Sequence, residues 1–104
     1  GLTFKENTPD LRNSRVIDII RELEDYEMTV DVHDPWVDPA AACVEYGISP
    51  VDEPKEGAYD AVVIAVAHRQ FREMGERSRD FGRASHVLYD LKGVLGKASA
   101  DLRL

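Results

Sequence analysis

The chain has 104 residues, enough for a single domain with one core. Hydrophobic residues make up 43% and charged residues 32%, the balance of an ordinary soluble globular protein. A formal charge of −7 and a pI near 4.8 argue against nucleic acid and anionic membranes as partners, since both select for Lys and Arg.

A single cysteine excludes an internal disulfide, and a reducing, cytoplasmic setting is the simplest expectation. No apolar run approaches the roughly 20 residues that span a bilayer. The chain opens on Gly1-Leu2-Thr3-Phe4-Lys5, without an initiator Met or a signal peptide's apolar stretch. These residues read as the end of a strand, so we expect a piece of a larger protein with its first strand cut short.

The elements follow in order. Lys5 to Arg12 is a polar loop, with Asn7, Pro9 and Asp10 as turn and cap formers. From Leu11, the residues Val16, Ile19, Ile20 and Leu23 fall at helical spacing and predict an amphipathic helix to about Tyr26. Met28 to His33 alternates with period two and stops at Asp34-Pro35, as a strand would. Asp38-Pro39 before three alanines predicts a short helix that ends near Gly47.

Residues 48–57 are loop, with two prolines and the acidic Asp52, Glu53 and Glu56. Tyr59 to Ala67 is a nearly continuous apolar run, which predicts a central strand over Ala61 to Val66 covered on both faces. Gln70 to Phe81 predicts a helix and Ser85 to Tyr89 a further strand; the tail from Val94 is weakly patterned. Alternation of strands and helices predicts a three-layer, Rossmann-like α/β domain over residues 1–104, with a mostly parallel sheet.

In such sheets ligands bind beyond the carboxyl ends of the strands. The residues there are Lys5 and Glu6, His33 and Asp34, His68 and Arg69, and Asp90 and Lys92. Two lysines at equivalent strand ends of an acidic chain suit a phosphate, because an ammonium is a compact point charge. A solvated loop charge is the plainer alternative for each. Arg12 is either a fork for a phosphate or cofactor or a simple first-turn residue.

His33 and His68 have no Cys or His at metal-ligand spacing, so we expect no metal site. His68 reads as a hydrogen-bonding residue at a strand end. Cys43, in an Ala-rich helical stretch, reads as a packed small side chain rather than a nucleophile. Neither a Gly-x-Gly-x-x-Gly loop nor a Walker loop occurs, and we expect no catalytic residue in this chain.

The opening G-L-T-F-K-E-N-T-P-D-L-R-N-S resembles the loop that begins the C-terminal domain of the UDP-glucose/GDP-mannose dehydrogenases, roughly Gly-x-x-Phe-Lys and then Asp-x-Arg-x-Ser. V-D-V-H-D-P, D-A-V-V-I-A-V-A-H-R-Q-F and Y-D-L-K-G-V extend the likeness over nearly the whole chain, in the family's order. In that family an N-terminal Rossmann domain binds NAD, a helical segment carries dimer contacts, and the C-terminal domain covers the UDP-sugar. The enzyme oxidises the sugar's C6 alcohol to a carboxylate through a cysteine thiohemiacetal.

The resemblance implies substrate contacts at Phe4, Lys5 and Lys92, and places Arg12 on the NAD side. It implies the chain's own N-terminal and central domains as partners, and a homo-oligomer. The family often has Asp-Gly-Arg where this chain has Asp90-Leu91-Lys92, so the charge is kept and the bidentate fork is lost. A-V-A-H and D-L-K-G-V look more like members that act on UDP-N-acetylhexosamines. A free-standing nucleotide-binding module and a pure dimerisation module are the alternatives; the first would bind ligand unaided, the second would pair without nucleotide affinity.

Overall fold

The computed structural model describes residues 1–96 and 99–103, which fall in two compact units, Gly1–Glu53 and Pro54–Leu104. In the first unit, Leu2, Leu11, Ile20, Val32, Ala42 and Ile48 form the core, with Val16, Ile17, Val30, Val37 and Tyr46 packed around them. Helix α1 spans Val16–Asp25, starting later than the apolar spacing from Leu11 predicts. The preceding residues are already committed to turns: Asp10 accepts from the Arg12 N–H, and Asn13 takes a left-handed φ of 58°. Leu11 still reaches the core, but from the loop.

Helix α2 spans Pro39–Tyr46, as expected. The Asp38 carboxylate accepts the Ala40 N–H at 3.2 Å, Pro39 opens the first turn, and Gly47 closes the helix at φ 68°.

Met28 to His33 departs from expectation, since no strand forms there. Its period-two pattern still sorts the side chains, with Val32 buried and Asp31 exposed. Ladder bonds need a neighbouring strand, and within this unit the Val51 N–H to the Val32 carbonyl, at 2.8 Å, is a loop contact. Gly1 to Phe4 is likewise not a strand.

The second unit holds an all-parallel sheet of three strands in the order β1-β2-β3: Tyr59–Ile64, Gly82–Asp90 and Leu102–Arg103. Helix α3, Arg69–Met74, and a 3-10 helix, Gly75–Phe81, connect β1 to β2. Ile64, Phe71, Leu88 and Leu95 are the core, flanked by Val62 and Val94. The chain thus has the α/β, Rossmann-like character its alternating pattern predicts.

The central, doubly covered strand is not found. β1 lies at one end of the described sheet, Ala61 and Val63 are exposed, and the strand stops at Ile64. Only Ile64 to His68 is continuously buried, and most of that stretch is loop. Apolar content shows that a run prefers cover, but not which neighbour supplies it. Among the described residues, no helix is long and apolar enough to cross a membrane.

Candidate functional site

Two loops carry the residues singled out from the sequence. In the first unit, the chain from Leu2 to Arg15 is tied down by buried polar groups. Asp34, itself buried, accepts the N–H groups of Leu2 at 2.7 Å and Thr3 at 3.2 Å through Oδ2. Its Oδ1 accepts the Trp36 N–H at 2.8 Å. Thr3 donates its hydroxyl to the Lys5 carbonyl at 2.9 Å, and the Phe4 N–H reaches the Asp10 carbonyl at 2.8 Å. At the far end Ser14 donates its hydroxyl to the Leu2 carbonyl, and Tyr46 donates to the Leu11 carbonyl.

With its ends pinned, the loop presents Phe4, 52% exposed, and the exposed Lys5 on its crest. An open cavity of about 400 Å³ lies alongside, lined by Phe4, Asn13, Ser14, Arg15 and Asp18. That volume is within the range of small-ligand clefts.

Arg12 stands on the same loop, almost wholly exposed. Its Nε lies 3.1 Å from Asp10 Oδ1 and its Nη2 3.3 Å from Oδ2. The fork holds the Asp10 carboxyl below its ordinary range, chiefly through the side-chain hydrogen bonds. Two of five guanidinium donors are thereby engaged, and the remainder stay available to a further acceptor.

In the second unit, β2 ends at Asp90, which is fully buried. Its Oδ1 accepts the Val94 N–H at 3.0 Å and its Oδ2 the Leu95 N–H at 2.8 Å. The Leu91 N–H returns to the Ile64 carbonyl at 3.0 Å, and Gly93 turns the chain at φ 65°. The exposed Lys92 rides on this turn. Phe4, Lys5 and Arg12 therefore share one loop, while Lys92 belongs to the other unit.

Other candidates take structural places. His68, fully buried, has its ring 5.5 Å from the Phe71 ring, and its carbonyl accepts the N–H groups of Phe71 and Arg72 in α3. His33 Nδ1 is 3.2 Å from the Val51 carbonyl. Cys43 is exposed rather than packed, because the core-facing position of α2 is taken by Ala42. Among the described residues, no three of His, Cys, Asp and Glu are placed to hold a metal ion.

Each of the two loops thus carries an exposed lysine and is braced by a buried carboxylate, within a chain of α/β character. Residues 1–97 match the UDP binding domain of the UDP-glucose/GDP-mannose dehydrogenase family, and the chain belongs to that family. It is 58% identical over 105 residues to the UDP-N-acetyl-D-glucosamine 6-dehydrogenase of Pseudomonas aeruginosa, covering 100% of this chain and 25% of that protein. The Salmonella typhi enzyme of the same name is 54% identical, again over 100% of this chain and 25% of the relative. The UDP-glucose 6-dehydrogenase of Rhizobium meliloti is 32% identical, over 93% of this chain and 23% of the relative. The chain spans about a quarter of the length of the curated relatives it matches.

Proposed function

We propose that this chain is the UDP-sugar-binding domain of an NAD-dependent 6-dehydrogenase that converts a UDP-N-acetylhexosamine to its uronic acid. The supporting observation is the pair of braced loops that hold Lys5 and Lys92 out into solvent. Identity of 58% and 54% to enzymes named for UDP-N-acetyl-D-glucosamine favours that sugar.

In this reading Lys5 and Lys92 neutralise the diphosphate, and Phe4 covers the nucleotide or sugar. Arg12 contacts the cofactor with the donors that Asp10 leaves over. NAD, held mainly by the N-terminal domain, supplies the hydride acceptor. The braced loops position the sugar's C6 for it, so that binding energy at the diphosphate serves a reaction some distance away. The working assembly joins this domain to its own N-terminal and central domains in a cytoplasmic homo-oligomer.

The test is kinetic. In the full-length dehydrogenase, Lys5→Ala and Lys92→Ala should each lower kcat/KM for the UDP-sugar by roughly ten- to a hundredfold, the worth of a charge-assisted contact of about 1.5–3 kcal/mol. Wild-type kinetics in both variants would reduce the two lysines to loop charges and remove the reading.

A further inference from the structure

We propose that Arg103 is a second cationic contact for the UDP diphosphate, working beside Lys92; the inference rests on the substrate-loop reading above. Arg103 lies beyond the family match, which covers residues 1–97.

The sheet register places it. β3 runs parallel to β2 with Arg103 opposite Asp90, the residue from which the Lys92 turn departs. From there the side chain reaches over the turn. A Cβ placed on Gly93 would lie 2.8 Å from Arg103 Nη2 and 3.9 Å from its Cζ. The guanidinium therefore occupies the space a side chain at 93 would fill, next to Lys92 in the chain. Glycine there serves two ends, a left-handed turn at φ 65° and room for the fork.

The charge at this strand end is unspent. Arg12, Arg15, Arg21, Arg79 and Arg83 each pair with a carboxylate. Among the described residues none pairs with Arg103, although the chain carries a net −7. Asp90, its register partner, has turned both carboxylate oxygens to the N–H groups of Val94 and Leu95. An exposed fork and an exposed ammonium on one turn suit two linked phosphates, with the planar fork bidentate on one and the point charge on the other. Arg103 would restore the guanidinium geometry that Lys92 itself cannot offer.

UDP, as a competitive inhibitor of the full-length dehydrogenase, is the probe. Arg103→Ala should raise the UDP inhibition constant and the KM for the UDP-sugar by about tenfold, with the KM for NAD and the melting temperature unchanged. Arg103→Lys should fall between, keeping charge without the fork. Gly93→Ala, which displaces the guanidinium, should weaken UDP in the wild-type background but add nothing to Arg103→Ala. An unchanged UDP constant in Arg103→Ala, with Lys92→Ala impaired, overturns this inference and leaves the lysine reading standing. Silence in both variants removes both. Weakened NAD and UDP terms together with a lower melting temperature would make Arg103 a brace for β3 and overturn the inference as well.

Discussion

Asp34 and Asp90 are buried carboxylates, and each accepts main-chain N–H groups with both of its oxygens. A buried carboxylate stripped of such donors would be costly, so the backbone must come to it. That requirement shapes the loops on which Lys5 and Lys92 stand. The two lysines were legible in the sequence as positive charges of an acidic chain; Lys92 follows the end of β2 as expected, whereas no strand precedes Lys5. The supporting role of the aspartates was not, because an Asp before a turn reads equally well as a solvated residue. Arg12 is the sharper case. Its pairing with Asp10 makes a local bracing role concrete, while its remaining donors keep the cofactor role available. If Arg12 serves NAD, Arg12→Ala in the full-length enzyme should raise the KM for NAD more than that for the UDP-sugar. If it only braces the loop, Asp10→Ala should reproduce the same substrate defect and NAD should be spared.

At the scale of elements, short-range signals held and long-range ones did not. The cap, proline and glycine around α2 were all readable, because each acts within a turn of its own residue. β1 was readable as apolar but not as a strand at one end of its sheet, since its neighbours are fixed by distant chain. β3 was missed, and its short length explains why: two residues carry no periodicity. It is held instead by Asp101. Arg79 donates to both Asp101 oxygens at 3.0 Å, and the Leu88 N–H adds a bond at 2.8 Å. The Arg79 hydrogen bonds, followed by that of Leu88, lower the Asp101 pKa from 3.8 to about 2. The folded state thus binds its proton less readily than the unfolded chain does. Its stabilising effect is complete above about pH 4 and fades as the pH falls toward 2. Asp101→Asn should lower the melting temperature at neutral pH and flatten its decline over that acid window. An unaltered acid profile would show that β3 does not depend on this pair.

For the whole molecule, the family and the α/β character were legible because motif and alternation run along nearly the entire chain, whereas pairing between distant segments leaves no local mark. The same breadth of view bears on what the chain can do by itself. Oxidation of an alcohol to a carboxylate in this family calls for a nicotinamide site and a cysteine nucleophile. The sequence contains no Gly-x-Gly-x-x-Gly loop to receive the cofactor's pyrophosphate. Its one thiol, Cys43, lies exposed on α2, a helix that supplies none of the residues of the two candidate loops. What this chain does present is two exposed lysines on braced loops, Lys5 and Lys92, to which the proposed function gives the diphosphate. Binding without turnover is therefore the expected behaviour of the 104-residue chain. Incubated with UDP-N-acetyl-D-glucosamine and NAD, it should produce no reduced cofactor by absorbance at any substrate concentration. Titrated with UDP, it should respond with an affinity that falls as ionic strength rises, because exposed lysine–phosphate contacts are screened by salt. Sustained cofactor reduction by the pure chain would mean that a nicotinamide site lies within these residues, and the division of labour proposed between this domain and its partners would be wrong.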